Sequence, residues 1–415
     1  MRTIRALTAV VGFACLSAAA PANADPVSEW NAITMMYVFG DSSAGVPPGR
    51  GGPPGLLDVA LVHVAVHDAV QAIEGRFQPY HYSDRAALGI GNPAAAVAAA
   101  AHRMLVLLYG HRSPDLLQSL NDRYDAYLAL HSLTGDPGLD VGEAAAVALH
   151  EQHYRGPVPV PAFFGVASPG QWRSSVAMAA LPLAFTRPFT LSQPSQFRPP
   201  PPPPLTSEIY RRDYDEVKER GASSAHPNAD TDMARFWWTV NYFTQWNETV
   251  RQLASANLRV GDSARLFALA GLAAADAAIA VWDSKYFYNF WRPSTAIVAG
   301  DDDPNHHTQG DLWWKPLVSD PPYPDYVSGA NGLTAAFTGM LRLFFATDEM
   351  RFSVKNPPIS QERHFDRFSD AADEVVEARI LVGIHFRFAD EEARRLGNRV
   401  AQWTFMHFLR PRPGS

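Results

Sequence analysis

The sequence has 415 residues, of which 47% are hydrophobic and 19% are charged, and this composition suffices for a large buried core in one or two domains. The formal net charge of −7 argues against non-specific binding to nucleic acid, which depends on basic surfaces. Beyond the N-terminus, the longest apolar stretch, 266–282, contains Asp276 and falls short of the ~20 uninterrupted apolar residues of a membrane span. No membrane span is therefore predicted.

The first 24 residues have the pattern of a secretory signal. Arg2 and Arg5 give a basic start, a short apolar run follows, and Ala-Asn-Ala ends at Ala24, where cleavage is expected. Removal of this segment changes the net charge from −7 to −9, because it takes away two arginines. It also removes Cys15, which is the only cysteine, so no disulfide or thiol chemistry is expected in the mature chain. The sequence predicts an exported protein, periplasmic or extracellular.

Alanine-rich segments with helical periodicity dominate the next part of the chain. Helices are predicted over residues 56–74, 93–109, 114–130 and 142–154. An irregular tract over 156–205 follows and ends in six consecutive prolines, Pro199 to Pro204, which cannot form the interior of a helix. The tract keeps large aromatic residues, so we interpret it as a wrapped connection between two helical halves.

A second series of helical segments follows the proline run. Helices are predicted over residues 210–219, 230–241, 244–256, 263–289, 332–345, 369–388 and 389–408. Residues 300–326 and 347–368 are predicted to be loops from their Asp, Pro and His content. The sequence thus predicts an all-α protein with two helical-bundle halves, 25–205 with the Pro-rich connection and 206–415.

The segment KYFYNFWRP places Lys285 and Arg292 seven residues apart, with aromatic residues between them. On one helix this spacing is nearly two turns, so both cations are predicted to leave the same face. Pro293 suggests that Arg292 lies near the end of that helix. Two such cations form either an anion site or a surface on which long side chains cover aromatic groups. The motif alone leaves both interpretations open.

The segment PYPDYVSGANG places Ser328 and Gly329 before a helical run that is predicted to start near Asn331. A hydroxyl and unpaired backbone amides at the start of a helix form a binding site for phosphate-like anions. An ordinary helix cap is the alternative, and the motif alone favours it.

The segment ARILVGIHFRFAD contains Arg379 and His385, six residues apart. On one helix they would lie about 120° apart, so they would not share a face, although the length of arginine allows both groups to reach one site. The alternative for His385 is a histidine that packs in the core.

The order and spacing of the three motifs resemble the signature of the vanadium-dependent haloperoxidase and type 2 phosphatidic acid phosphatase superfamily. That signature reads Lys-x6-Arg-Pro, then Pro-Ser-Gly-His, then Ser-Arg-x5-His-x3-Asp. This chain matches it at Lys285, Arg292, Pro293, Ser328, Gly329, Arg379 and His385. Other stretches, including DAAIAVWDSKYFYNFWRPSTAI and DLWWKPLVSDPPYPDY, are similar to exported bacterial vanadium chloroperoxidases, so the resemblance extends over most of the chain after residue 24.

The resemblance implies a two-bundle fold of the family's type, with an oxyanion site in the C-terminal half. Its residues would be Lys285, Arg292, Ser328, Gly329, Arg379 and His385, which we call the oxyanion cage. The three cations would neutralise vanadate, or phosphate as its near-isostere, and the Ser328 hydroxyl and Gly329 amide would donate hydrogen bonds. His385 would bind the vanadium of vanadate or attack phosphorus. Lys285 and His385 would be the catalytic residues.

The resemblance implies halide oxidation by hydrogen peroxide, with an organic acceptor that the sequence does not identify. Acid phosphatase activity on the same cage is one alternative. Non-catalytic binding of phosphate or vanadate is another. The sequence indicates neither the halide nor the oligomeric state.

The chain departs from the signature at the family's acid–base histidine, which is Ala330 here. Because alanine cannot transfer protons, turnover is expected to be impaired while anion binding is retained. The motif also has Val327 for proline and Ala378 for serine, and its acidic residue, Asp390, comes one place late. Other residues considered as proton carriers are His306, His307, Asp325 and Asn331. The two histidines are predicted to be a solvated surface pair.

His63 and His67 lie one helical turn apart, a spacing that can hold zinc. No third ligand is evident near them in the sequence, so a structural role is the preferred interpretation.

Overall fold

The computed structural model describes residues 25–153, 158–161, 163, 165–174, 176–224, 228–254 and 258–413. The predicted signal sequence and Cys15 lie outside these residues. Export therefore stays a prediction.

Helices dominate the described part of the chain, and the predicted all-α class is confirmed. The helices are Pro26–Phe39 (α1), Gly55–Glu74 (α2), Pro93–Tyr109 (α3), Pro114–Leu130 (α4), Gly138–His153 (α5), Glu208–Arg220 (α6), Ala229–Thr239 (α7), Tyr242–Ala254 (α8), Val260–Tyr288 (α9), Pro293–Val298 (α10), Gly329–Phe345 (α11), Phe368–Leu381 (α12) and Arg387–His407 (α13). A short antiparallel hairpin, Glu349–Asn356 (β1) and Gln361–Arg367 (β2), is also present.

Local start signals explain why the predicted bounds of α3 and α4 agree with the structure. Each helix begins at a proline, which suits a first helical position because its missing N–H would have no partner there. The Asn92 side chain accepts a hydrogen bond from the Ala94 amide, and the Ser113 hydroxyl accepts one from the Leu116 amide.

Three parts of the sequence prediction are wrong. Helices α1 and α10 were not predicted, and the segment predicted as a loop over 347–368 contains the β1–β2 hairpin. The predicted helix 369–388 is instead divided between α12 and the start of α13. Gly383 lies in this break with a φ of +79°. A side chain there would meet the Gly221 carbonyl oxygen at 2.3 Å, so this chain path requires glycine.

Two long apolar helices form the centre of the molecule. Helix α2 packs against α3, α5 and α9, and α9 also packs against α11 and α13. Both α2 and α9 are long and apolar enough to cross a membrane by length and composition, but their most apolar windows are entirely buried inside this fold, as in the core helices of soluble proteins. One hydrophobic core therefore continues from the first helices to the last. The division at 205/206 stays a prediction.

The connection before α6 is fixed to α9 by buried polar contacts. The Asp276 carboxylate accepts hydrogen bonds from the amides of Phe189, Thr190 and Leu191. Further along, Arg198 forms two 2.7 Å bonds to Asp283. The proline run then meets the segments that carry the candidate site, since the Tyr288 and Tyr326 hydroxyls donate to the Pro199 and Pro200 carbonyls.

Candidate functional site

The three sequence motifs meet at one place, where α9 ends, α11 begins and α12 leads into α13. The side chains of the oxyanion cage are almost fully buried there: Lys285 and Ser328 are 0% exposed, Arg292 and His385 1%, and Arg379 5%. The charges of Arg292, Lys285 and Arg379 all act on His385. The fold thus brings together residues that are up to 100 positions apart in the sequence.

Lys285 and Arg292 meet by a different route from the one predicted. Helix α9 ends at Tyr288, and Asn289 has a φ of +47°, so Arg292 does not lie on that helix. It is the N-cap residue of α10. The prediction of one shared helix face is therefore wrong. Both cations nevertheless reach the Tyr323 ring, with the Lys285 Nζ 4.8 Å and the Arg292 Cζ 5.0 Å from its centroid.

The same two cations bind backbone carbonyls of the loop before α11. Lys285 Nζ donates to the carbonyls of Pro324 at 2.7 Å and Asp325 at 3.0 Å. Arg292 Nε donates to the Tyr323 carbonyl at 2.8 Å, and its Nη1 donates to the Ile384 carbonyl at 2.7 Å. An ammonium group has three hydrogens and a guanidinium has five, so both side chains keep donors for an anion. Burial is the main cause that lowers the pKa of Lys285, and the nearby Arg292 charge lowers it further.

Ser328 and Gly329 lie at the N-terminus of α11, as predicted, but the helix begins at Gly329 rather than near Asn331. The first amides of a helix have no partners within it, and the helix dipole favours an anion at this end. The Ser328 side chain does not cap the helix. Its oxygen is instead near the Asn331 Nδ2, at 3.4 Å. The alternative interpretation of Ser328 as an ordinary helix cap is therefore wrong.

Arg379 and His385 are not on one helix, so the predicted separation of about 120° around a shared helix axis does not apply to them. Arg379 is in the last turn of α12, and its guanidinium carbon lies 5.3 Å from the centroid of the Trp238 ring. Its Nε is buried and has no hydrogen-bond partner among the described residues. His385 follows the break at Gly383 and precedes α13. The break turns the histidine toward the other cage residues.

A carboxyl group lies beside His385. Its Nδ1 lies 2.6 Å from Asp325 Oδ1, and both side chains are buried. Burial is the main cause that lowers the pKa of His385 and raises the pKa of Asp325. A lone pair on Nε2 requires the ring proton on Nδ1, and Asp325 is the carboxyl group beside that nitrogen, although the contact does not have hydrogen-bond geometry. From the sequence, Asp325 was considered only as a proton carrier, because its spacing from His385 does not predict this contact.

Asp390 is a second buried carboxylate at the site, although it lies one place away from the signature position. Asn331 Nδ2 donates to its Oδ1 at 2.8 Å, and the nearby Ser328 side chain lowers the pKa of Asp390. The start of α13 at Arg387 turns Asp390 inward. The site therefore contains three cations and two carboxyl groups, and the sequence had indicated Asp390 only as a displaced motif residue.

The remaining candidates for proton transfer differ in exposure and in chemistry. His306 and His307 are exposed in the loop after α10, consistent with the predicted surface pair. Asn331 is buried between Ser328 and Asp390, but an amide does not titrate. Ala330 is half-buried beside them.

His63 and His67 have structural partners. His63 Nε2 lies 2.7 Å from Asn31 Nδ2, and the ring stacks on Phe267. His67 Nε2 lies 3.1 Å from the Gln78 carbonyl. Burial lowers the pKa of His63 to about 3 and that of His67 to about 4, so both are neutral core histidines. Within the described residues, no group of three or more His, Cys, Asp or Glu side chains is placed to hold a metal ion.

Comparisons with known proteins identify similar sequences and structures. The family model "VCPO second helical-bundle domain" matches residues 265–413, which include the whole oxyanion cage. Vanadium chloroperoxidase from Curvularia inaequalis is 29% identical over 189 residues, which cover 34% of this chain and 30% of the relative. The match spans less than a third of that relative's length. The chain belongs to the vanadium-dependent haloperoxidase superfamily.

Solved structures of this superfamily share the fold over nearly the whole chain. A bacterial vanadium-dependent iodoperoxidase has a TM-score of 0.73 and 23% identity, over 94% of this chain and 99% of that one. The holo form of a bacterial vanadium-dependent chloroperoxidase has a TM-score of 0.66 and 17% identity, over 91% of this chain and 97% of that one. The likeness in fold therefore extends over nearly the whole length of both solved chains.

The donor set of this superfamily member fits a tetrahedral oxyanion. The site contains three buried cations, a buried serine and the N-terminus of α11, and no described residue forms a hydrogen bond with Arg379 Nε. Isolated buried cations are costly in free energy, so the site needs compensating negative charge. A bound oxyanion would supply that negative charge.

Proposed function

We propose that this chain is a vanadate-dependent haloperoxidase-type enzyme that oxidises a halide with hydrogen peroxide. The observation that carries the proposal is the convergence of Lys285, Arg292 and Arg379 with His385, whose Nδ1 lies 2.6 Å from Asp325 Oδ1. When bound, vanadate would activate hydrogen peroxide toward halide without any change in the oxidation state of vanadium. The residues of the chain would bind, orient and polarise the group.

Each cage residue has a defined part in this proposal. Lys285, Arg292 and Arg379 would neutralise the oxyanion, and their burial strengthens that attraction because little water screens it. Ser328 and the Gly329 amide would donate hydrogen bonds at the N-terminus of α11. His385 would present its Nε2 to the vanadium atom, with Asp325 fixing the tautomer.

The test is a titration of the metal-free protein with vanadate, with bromide oxidation by hydrogen peroxide followed in the same samples. Saturable activation at micromolar vanadate is the expected result. Saturable binding without halide oxidation at any mildly acidic pH would contradict the haloperoxidase proposal and leave an oxyanion-binding protein.

Acid phosphatase activity on the same cage is the second candidate. It is supported by the buried His385–Asp325 pair, which could serve a phosphorus nucleophile as well as a vanadium ligand. It predicts hydrolysis of aryl phosphates that vanadate inhibits. Aryl esters are the right probe, because their good leaving groups need little help from a proton donor at the position of Ala330.

We also propose that the protein is exported, with cleavage near Ala24. The basic, apolar and small-residue pattern of residues 1–24 supports this proposal. Intact mass of the protein recovered from periplasm or medium should correspond to a chain that starts at Asp25. A full-length chain in the cytoplasm would contradict it.

A further inference from the structure

We propose that Asp390 holds the proton that the missing histidine of the family motif would hold, and that Ser328 relays this proton to the bound oxyanion. The inference rests on the proposed function, because it assigns a proton pathway to the same site. Asp390 acts through Ser328 in this scheme, so it is a positioning and proton-holding residue. Ser328 is the residue that contacts the anion.

The contacts among three residues carry the argument. Asp390 is 0% exposed, and Asn331 Nδ2 links its Oδ1, at 2.8 Å, to the Ser328 oxygen, at 3.4 Å. The Ser328 side chain lies near enough to the Asp390 carboxyl group to lower its pKa. Ser328 and Asn331 flank Gly329 and Ala330 in the sequence, so Asp390 interacts with the residues on either side of the family's histidine position.

One oxygen of this carboxyl group lacks a protein partner. Asp390 Oδ2 is buried, and no described residue forms a hydrogen bond with it. An ionised carboxylate with an unpaired oxygen is costly inside a protein, so the neutral acid is favoured. Burial accordingly raises the pKa of Asp390 to about 7, although the Ser328 side chain and the Arg379 charge oppose the rise.

Charged and titratable groups surround Asp390 on several elements. They are Tyr242 on α8, Lys285 on α9, Asp325 before α11, Arg379 on α12 and Arg387 on α13. The cations favour the carboxylate, whereas Asp325 and an incoming oxyanion favour the neutral acid. Binding of an anion next to Ser328 should therefore draw a proton onto Asp390.

The proton transfer balances without a further reactant. The Asp390 O–H bond breaks as its proton moves to Ser328 Oγ, and the Ser328 hydroxyl proton moves to an oxygen of the bound anion. Asp390 is left as a carboxylate, and Ser328 keeps one proton throughout. Solvent restores the proton on Asp390 after product leaves.

The test is the number of protons taken up when vanadate binds, measured by titration calorimetry in buffers of different ionisation enthalpy near pH 7. The ionisation of vanadate is common to all variants, so differences between them belong to the protein. Wild type should take up more protons than Asp390→Asn. A matched control is Asp58→Asn, because Asp58 is also a buried carboxylate with a raised pKa, but its partners Tyr109 and Arg50 lie outside the cage. This control should match wild type.

A second variant keeps the inference testable if Asp390→Asn does not fold. Asn331→Ala removes a donor that stabilises the ionised carboxylate, so the pH midpoint of proton uptake should move upward. Equal proton uptake in wild type and Asp390→Asn would overturn the role of Asp390, and so would an unchanged pH midpoint in Asn331→Ala. Either result would leave the proposed function standing as long as wild type binds vanadate. Absence of vanadate binding in wild type would overturn both.

Discussion

His385 Nδ1 and Asp325 Oδ1 lie 2.6 Å apart, and neither side chain is open to solvent. The carboxylate comes from the loop before α11 and the histidine from the break before α13, so the contact joins two of the three motifs. Carboxylates that hold the far nitrogen of a ligating histidine set its tautomer and its basicity.

The first prediction concerns Asp325→Asn. The amide preserves the size of the side chain but cannot accept a proton, so His385 should lose its preferred tautomer. Vanadate affinity should fall by about 10- to 100-fold, the usual cost of removing such a partner. Equilibrium dialysis of vanadate measures it, and Asp58→Asn is the control for loss of a buried carboxylate elsewhere. An unchanged affinity would show that Asp325 does not orient the histidine.

The second prediction concerns Ala330→His, which restores the residue of the family signature. The position is half-buried at the start of α11, next to Gly329. If proton transfer limits turnover, bromide oxidation should rise by roughly 100-fold, the lower range for a positioned general acid or base. Ala330→Phe is the control, because it adds a ring without a titratable group. A rise in both variants would indicate a steric effect instead.

The third prediction compares two buried arginines. Arg292→Lys leaves the Tyr323 and Ile384 carbonyls without their planar donor, at a cost of about 1–3 kcal/mol for each buried group left unpaired. Arg265→Lys is the matched control, since Arg265 also donates to a carbonyl, that of Leu409 at 2.7 Å, but belongs to another part of the core.

Both variants should be less stable in urea denaturation, and only Arg292→Lys should bind vanadate more weakly. A loss of vanadate affinity of the same size in Arg265→Lys would mean that Arg292 acts through general stability and has no direct part in the cage.

The sequence indicated the cage residues better than it indicated the path that brings them together. Spacing on an ideal helix placed Lys285 and Arg292 on one face, whereas Asn289 ends the helix in a left-handed conformation that an asparagine can adopt at low cost. Periodicity also predicted one helix through Gly383. The close approach of Gly383 to the Gly221 carbonyl oxygen, which explains the need for glycine in this break, is visible only in the structure. Helix periodicity contains no information about such tertiary contacts.

The acidic part of the site was even harder to find from sequence. Asp325 and Asp390 belong to different segments, and each is defined by a partner far away in the chain, His385 in one case and Asn331 in the other. By contrast, α3 and α4 were predicted correctly because their prolines and capping side chains are local signals. Local signals fix helix ends, while the buried charges depend on how the helices pack.

The last prediction concerns Asp276, which holds the connection between the two predicted halves. Its carboxylate accepts bonds of 2.7 Å from the Phe189 amide, 2.7 Å from the Thr190 amide and 3.2 Å from the Leu191 amide. In Asp276→Ala these buried donors lose their partner, at about 1–3 kcal/mol each, so the free energy of unfolding should fall by ~3 kcal/mol or more. Hydrogen exchange should quicken at residues 189–191.

The same residue predicts a pH dependence of stability. Burial raises the pKa of Asp276 to about 6 in the folded protein, whereas an unfolded aspartate titrates near ~4. The folded protein therefore holds a proton that the unfolded chain releases, and this contribution to stability falls as pH rises from ~4 to ~6. The stability of Asp276→Ala, measured by thermal unfolding across that pH range, should lack this pH-dependent contribution. Asp283→Ala, which loses the Arg198 contact to the same connection, should retain it. An identical pH profile in wild type and Asp276→Ala would show that the carboxyl group is already ionised throughout the range.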